Sequence, residues 1–190
     1  MAFDANEIVV APFGHVWIAP VGTAVPTDIG DVPDSIDSDW VDLGYLNEDG
    51  IQATFGLETI DIRAWQAETP VRRQVSARTG NITVSLMEWS EDTVVAAFGG
   101  GEWTPGSGGE FSYTFPTADD SIAEYALMFD VEDGDTHHAF FFSRVTVTGD
   151  VTAQWVRGAA ALLPITFGVL ADEDTGSIGG IVGVTAEAAS

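Results

Sequence analysis

Histidine and cysteine, the residues that most often serve as catalytic groups or transition-metal ligands, are scarce in this sequence. The 190 residues include three histidines and no cysteine. His137 and His138 are adjacent, so on a strand their side chains point to opposite faces and cannot jointly hold one metal ion. His15 stands alone among apolar neighbours. Without cysteine there is no disulfide framework, zinc–thiolate site or cysteine nucleophile.

Carboxylates are abundant, since the chain contains 30 Asp and Glu residues. A pair of acids at the separation that a glycosidase needs could therefore arise by chance. No pair stands out, and the motifs GxSxG, HExxH and GxGxxG are absent. The sequence predicts no catalytic residue, no metal site and no cofactor, and hence a protein that is not an enzyme.

The basic residues are concentrated in one window. Four of the six arginines, Arg63, Arg72, Arg73 and Arg78, lie within residues 63–78, together with a single acid. The rest of the chain holds two arginines and 29 acids. Guanidinium groups pair with carboxylates through two parallel hydrogen bonds, which favours arginine at interfaces. A basic segment on an acidic body has an obvious partner in another copy of that body, so the pattern indicates self-assembly.

Two strands are predicted on either side of the basic window, because apolar and polar residues alternate in both. The apolar residues are predicted to form the core: Ile51, Phe55, Leu57, Ile82, Val84 and Leu86. The polar residues are predicted to share the opposite face: Gln52, Thr54, Glu58, Asn81, Thr83 and Ser85. The roughly twenty residues between the strands are predicted to form a long loop that leaves the body, and such loops are commonly functional.

The remaining pattern is mostly that of strands. A single helix is predicted over residues 90–98, with Ser90 as its N-cap, two acids in its first turn and glycines after it. Strands are predicted at FSYTF, EYALMFDV, HAFFFSRVTVT, VTAQWV and LPITFGVL, with Asp133 and Gly134 in a hairpin turn. A three-residue turn at 148–150, or a bulge there, would keep apolar residues opposite one another in the two strands that flank it. The sequence predicts a mainly β fold, a β-sandwich with one flanking helix.

The chain is predicted to form one domain over residues 1–175, with an N-terminal arm at about 1–15 and a flexible C-terminal tail at 176–190. The segment at about 20–39 is predicted to be an acidic loop, because residues 28–39 hold five aspartates and no basic residue. Its spacing lacks the ligand pattern of a calcium loop. The sequence has no run of about 20 apolar residues and no signal-peptide pattern at its start, so synthesis in the cytoplasm is expected.

The tryptophans and the net charge leave alternatives open. Trp17, Trp40 and Trp155 are predicted to be core residues, whereas Trp65 and Trp103 are predicted to be exposed in loops, where they could anchor a contact. Tryptophans beside acids on a β-sandwich could instead bind sugars, so a carbohydrate-binding or adhesin module is the alternative function. The formal charge of −24 disfavours tight binding to DNA and to anionic membranes. The acidity is also compatible with adaptation to high salt, or with a GC-rich genome.

Four sequence runs occur in an order that points to a family: WVDLGYLNEDG, WQAETPVRR, MEWSEDTVVAAFGGG and VEDGD. Over about residues 12–175 the chain resembles the major tail tube proteins of long non-contractile-tailed bacteriophages, particularly those that infect actinobacteria. The resemblance implies a β-sandwich with a flanking helix, six subunits per ring, and rings stacked into a hollow tube of the virion. It also implies that residues 59–79 reach the adjacent ring and that the tube interior is electronegative, so that DNA passes without sticking.

The resemblance assigns expected roles to both residue sets. Contact between rings is expected from Arg63, Trp65, Arg72, Arg73 and Arg78. The interior of the tube is expected to be lined by Gln52, Thr54, Glu58, Asn81, Thr83 and Ser85. The expected partners are further copies of the chain, a tape measure protein inside the tube, terminator and distal tail proteins at its ends, and genomic DNA in transit without tight binding. No membrane partner is expected.

Overall fold

The computed structural model describes residues 8–26, 36, 38–134 and 136–184. These residues form ten strands, one α-helix and a short 3₁₀ turn at Ser107–Gly109. The elements are β1 (Phe13–Pro20), β2 (Val41–Asp42), β3 (Leu46–Ile62), β4 (Arg72–Leu86), α1 (Glu91–Ala97), β5 (Glu102–Pro105), β6 (Phe111–Thr114), β7 (Glu124–Asp133), β8 (Thr136–Val147), β9 (Leu163–Val169) and β10 (Gly180–Val184). The predicted mainly β fold with one flanking helix is confirmed.

Eight of the strands form one antiparallel sheet in the order β2–β1–β7–β8–β9–β4–β3. Strand β10 also belongs to it and pairs with the first half of β8, while β9 pairs with the end of β8. Strands β5 and β6 form a separate two-stranded sheet. The predicted hairpin at Asp133 is present, since Asp133 pairs with Thr136 across the β7–β8 turn.

The main core lies inside the curve of the large sheet. Residues of β1, β7 and β8 and residues of β4 and β9 belong to one buried cluster, in which Leu43, Leu127 and Phe167 have no exposed surface. The edges approach each other, because a Cβ atom at Gly14 of β1 would lie 3.8 Å from Ile51 of β3. The two layers of the predicted sandwich are therefore the two limbs of one curled sheet.

A second, smaller core covers the outer face of β1, β7 and β8. Its largest members are Trp17, Trp40 and Met128, which are 2%, 6% and 0% exposed. The indole N–H of Trp40 donates to the carbonyl of Ala24 at 3.1 Å. Both tryptophans are core residues, as predicted.

Helix α1 begins and ends where the sequence predicts. The Ser90 hydroxyl accepts the backbone N–H of Thr93, and the Thr93 hydroxyl accepts the backbone N–H of Ser90. This reciprocal capping satisfies two N–H groups that the first turn leaves unpaired. Gly99 follows the helix with φ of 70°, a conformation that favours glycine.

The predicted strand VTAQWV is wrong. The three-residue turn at 148–150 does not return the chain beside β8, because β9 takes that place and pairs Phe167 with Val147. Of the residues in this run, only Gln154 forms a bridge, with Leu162. Trp155, predicted to be buried, is consequently 69% exposed.

Three further features differ from the prediction. Strand β10 lies within the segment predicted as a flexible tail, because the first half of β8 has a free edge for it to pair with. Strand β1 begins inside the predicted N-terminal arm. Trp103 lies on β5 rather than in a loop, and its ring stacks on that of Phe111 at 4.1 Å. Half of the predicted acidic loop, residues 27–35 and 37, lies outside the described residues.

Candidate functional site

The basic window is an extension of the sheet and not a long loop. Strands β3 and β4 stay paired from Leu46–Leu86 to Ile62–Arg72, and only residues 63–71 connect them. The backbone N–H of Val71 donates to the carbonyl of Ile62 at 2.9 Å and closes the connection. The predicted loop of about twenty residues is wrong, because β-branched residues sustain the pairing through the arginines.

The outer part of this hairpin, residues 56–79, is called the arm here. Strand β4 pairs with β9 only from Asn81 onward, so the arm has no third strand beside it. Among its residues none is buried. The ring of Phe55 stacks on Phe142 of the core at 6.1 Å and marks the base of the arm. The arm therefore projects from the body with both faces accessible.

The arm exposes an unusual amount of apolar surface. Six large apolar side chains are between 43% and 99% exposed: Leu57, Ile60, Ile62, Trp65, Val71 and Val75. The predicted core positions Phe55 and Leu57 are 53% and 56% exposed, so their assignment to the core is wrong in the single chain. Their strand runs past the edge of the opposing limb, whereas Ile82, Val84 and Leu86 are buried as predicted. Several large apolar side chains exposed on one projecting element indicate an interaction site.

A β-bulge changes which residues share a face of the arm. The register shifts between the pairs Glu58–Ala77 and Thr59–Val75, which leaves Ser76 without a partner on β3. Beyond the bulge, Asp61 pairs with Arg73 and Ile62 pairs with Arg72. These pairs lie on opposite faces because strand residues alternate. Each face of the arm therefore combines arginine with apolar residues.

The arginines of the arm differ in what they contact. The Arg73 guanidinium donates to both carboxylate oxygens of Asp61, from Nε at 2.7 Å and from Nη2 at 3.2 Å. This contact lowers the pKa of Asp61 and raises the pKa of Arg73. Arg63, Arg72 and Arg78 are exposed and form no ion pair with a described residue. Trp65, between them on the connection, is 99% exposed.

The polar residues of β3 and β4 form part of a wider polar face. One row runs across four strands through Thr54, Asn81, Gly168 and Thr146. A second row runs through Gln52, Thr83 and Thr166, and the hydroxyls of Thr83 and Thr166 are 3.2 Å apart. This polar face carries hydroxyl and amide groups and no charge along these two rows.

The structure brings together five of the six residues predicted to line the interior. Ser85 lies on the same face, opposite Pro164 of β9. Glu58 lies apart from the others, because it belongs to the arm and pairs with Ala77 beside the bulge. The five residues on the body form a continuous polar surface.

An ion-pair cluster lies where the first row meets β7. Arg144 donates to both carboxylate oxygens of Glu124, at 2.6 and 2.9 Å, and to Glu173 at 2.6 Å. These contacts raise the pKa of Arg144 and lower that of Glu124. Glu124 is the cross-strand partner of Thr146 and therefore lies at the border of the polar face. Arg144 neutralises the negative charge of Glu124 there.

A cluster that the sequence pattern did not predict lies toward the C-terminal end of β7. Asp130, Glu132 and His137 lie together on one face of the β7–β8 hairpin. Burial raises the pKa of the Asp130 carboxyl. The predicted opposite orientation of His137 and His138 is confirmed, since they pair with Glu132 and Val131. The alternation of Asp130 and Glu132, followed by a tight turn, was the signal that could have revealed the cluster.

The described residues contain no helix long and apolar enough to span a membrane.

A search of curated protein sequences found no match. A comparison with solved structures matches a chain described as "Tail of empty GTA particle computed with helical refinement, C6 symmetry". It is 11% identical, has a TM-score of 0.41, and the match covers 88% of this chain and 93% of that one. A chain from "Virion of native gene transfer agent (GTA) particle" is 13% identical with a TM-score of 0.39 and the same coverage.

The family comparison is more specific. A family model described as phage tail tube protein matches residues 1–179, which include the arm, the polar face and every described strand up to β9. A projecting arm on an antiparallel β body is consistent with a protein that functions by contacting other copies. Because the match extends over nearly the whole sequence, this chain belongs to the phage tail tube protein family and is a structural component of a phage tail.

Proposed function

We propose that the subunit assembles into rings of six, and that the rings stack into a tube through which the genome leaves the virion. In this arrangement the arm contacts the adjacent ring and the polar face lines the channel. The other contacts are with a tape measure protein inside the tube, and with terminator and distal tail proteins at its ends. We expect the tube to be built in the host cytoplasm before it becomes part of the virion.

The observation that carries the proposal is the composition of the arm. A monomeric surface rarely combines several exposed large apolar side chains on one ribbon with arginines that lack ion-pair partners. Buried apolar contacts and desolvated arginines are the usual anchors of protein interfaces. The body of the neighbouring copy is strongly acidic, so it offers carboxylates to Arg63, Arg72 and Arg78.

The length of the arm suits a contact that reaches beyond the body of its own subunit. The part of β3 that belongs to the arm runs from Gly56 to Ile62. These seven residues, at about 3.3 Å each, extend about 23 Å before the connection begins. The connection adds Trp65 at the far end of this reach. This reach supports the proposal that Trp65 contacts a subunit of the next ring.

The polar face suits the wall of a channel that must not retain DNA. Each arginine or lysine that neutralises a phosphate releases about 0.9 condensed counterions and strengthens binding. The rows through Gln52 and Thr54 carry no basic residue, and Arg144 at their border is paired with Glu124. Neutral hydroxyl and amide groups leave the passing duplex without a strong attachment.

The test is a charge reversal in the arm that leaves its internal ion pair intact. We expect Arg72→Glu with Arg78→Glu to fold as a monomer and to form no tubes, as seen by negative-stain electron microscopy and sedimentation velocity. Arg157→Glu is the control, because Arg157 is an exposed arginine outside the arm. Tubes of normal length from the double variant would show that the arm does not join the rings.

The same preparation tests the alternative of a sugar-binding module. Glycan-array binding by monomers that never assemble, at any salt concentration, would favour that alternative over the tube. Unfolding at low salt with recovery in molar salt would instead relate the acidity to salt adaptation.

A further inference from the structure

Three side chains that can ligate a metal ion converge on one face of the β7–β8 hairpin. Glu132 and His137 are direct cross-strand partners, and Asp130 lies two residues before Glu132 on the same face. A carboxylate oxygen from each acid and a ring nitrogen of His137 lie within 4.8 Å of one another. The distance between Nδ1 of His137 and Oε1 of Glu132 is 3.8 Å.

Two polar atoms of these side chains are buried without a hydrogen-bond partner. Asp130 has no exposed surface, and neither its Oδ2 nor Nδ1 of His137 has a partner among the described residues. The other oxygen of Asp130 accepts the backbone N–H of His15 at 2.9 Å, which fixes the orientation of the carboxylate. Buried polar atoms in native proteins are nearly always satisfied, so the two exceptions need an explanation. A cation between them satisfies both atoms.

We propose that Asp130, Glu132 and His137 bind a divalent first-row transition-metal ion of the Zn²⁺ type. Two carboxylate oxygens and one imidazole nitrogen are a ligand set that suits such ions. Ca²⁺ requires six to eight oxygen ligands, and Mg²⁺ prefers oxygen ligands in an octahedron. Three protein ligands leave a fourth position for water. The side chains of Glu132 and His137 are 26% and 15% exposed, so an ion can enter from their side.

The ion would act as a structural clamp. Its ligands come from both strands of one hairpin, so binding joins the end of β7 to the beginning of β8. Strand β10 also ends there, since Val184 pairs with His137. Binding to the folded chain alone would stabilise it in proportion to the logarithm of the ion concentration above its Kd. This inference does not depend on how the subunits assemble.

The test uses the full-length protein after treatment with a chelator. Titration with Zn²⁺ in a calorimeter should show one ion per chain, and the melting temperature should rise with Zn²⁺ and not with equal Mg²⁺. X-ray absorption at the zinc edge should show one imidazole nitrogen among oxygen ligands. Absence of binding to the wild type, or a spectrum without a nitrogen ligand, would overturn the proposal.

Variants assign the ligands. Loss of a partner outside the coordination shell weakens metal binding by about 10- to 100-fold, so Asp130→Asn and His137→Gln should each weaken it by about 100-fold or more. His138→Gln is the matched control, because the neighbouring imidazole lies on the opposite face. Circular dichroism establishes that each variant is folded. Equal loss of binding in His138→Gln, or unchanged binding in a folded His137→Gln, would contradict the assignment.

Discussion

Asp61 and Arg73 lie directly opposite each other in the arm and are joined by two hydrogen bonds, so the strongest charge pair of the arm is internal to one chain. The pair lies on an exposed ribbon, where an ion pair contributes little to the stability of the fold. Its effect is to hold the Arg73 guanidinium in place while Arg72, on the opposite face, stays available to a neighbour. This difference separates two arginines that are adjacent in the sequence.

The Asp61–Arg73 pair predicts a measurable titration. The hydrogen bond from Arg73 lowers the pKa of Asp61, so its carboxyl should titrate below the ordinary aspartate value of about 3.9. Ionised Asp61 favours the paired arm above that value, and this contribution is lost as the pH falls through the lowered pKa. Carboxyl NMR titration should show the pKa returning toward its ordinary value in Arg73→Ala. An identical Asp61 titration in both proteins would mean that the pair does not form in solution.

A second prediction concerns the anchor on the connection of the arm. Trp65→Ala should leave the melting temperature of the monomer unchanged, because the side chain is 99% exposed and contributes nothing to the core. It should shorten tubes at every ionic strength, since an apolar contact is not screened by salt. Trp155→Ala is the control, because Trp155 is 69% exposed outside the arm. Electron microscopy across a salt series compares the two, and equal tube lengths would remove Trp65 from the interface.

The position of phenylalanine relative to the limbs of the sheet predicts a contrast in stability. Phe167→Ala removes a fully buried ring and should cost about 3–5 kcal/mol of the free energy of unfolding. Phe55→Ala should cost only about 1 kcal/mol, because the ring is 53% exposed. Urea denaturation of the monomers measures both values. In the tube the difference between the two destabilisation energies should be smaller, because a covered Phe55 acquires contacts that it lacks in the single chain.

The polar face predicts an effect on genome passage. Thr83→Arg with Ser85→Arg should slow the ejection of DNA from assembled particles while tubes of normal length still form, because the wall then attracts phosphates. Slowing should weaken as salt concentration rises. Thr104→Arg with Ser112→Arg is the matched control, since these exposed residues are partners in the separate β5–β6 sheet. Equal slowing by the control pair would show that added charge acts elsewhere than on the channel wall.

Much of the fold can be predicted from local patterns in the sequence. The alternation at Ile82, Val84 and Leu86 predicts a half-buried strand, and the structure buries all three. The serine, the two acids and the glycines around α1 predict its limits, because caps depend on nearby residues only. Asp133 and Gly134 predict the hairpin for the same reason.

The errors come from relations between distant segments. Phe55 has the pattern of a core residue, yet its exposure depends on where β9 ends, about 115 residues later in the chain. Residues 151–156 alternate like a strand, but β9 occupies the edge they would need. The continuation of β3 and β4 was not predicted because the arginines interrupt the alternation of apolar and polar residues. Charged residues are tolerated there because both faces of the ribbon are open to solvent. Local alternation reveals a strand but not its neighbours.

Among the described residues, only cross-strand bonds between β3 and β4 order the arm beyond Gly56, and an isolated two-stranded ribbon is marginally stable in water. Amide hydrogens of the arm should therefore exchange with solvent much faster than those of β7 and β8. The arm becomes ordered when it docks on a neighbouring subunit. The loss of conformational entropy then weakens the first contact that forms. When two free subunits of the proposed tube associate, a single docked arm must offset the entropic cost of ordering. A subunit that joins a tube end also gains contacts with neighbours at its sides, and these help to offset the same cost. Polymerisation is then slow to nucleate and quick to elongate, so a store of dissolved subunits can persist in the host until a growing tail end is presented.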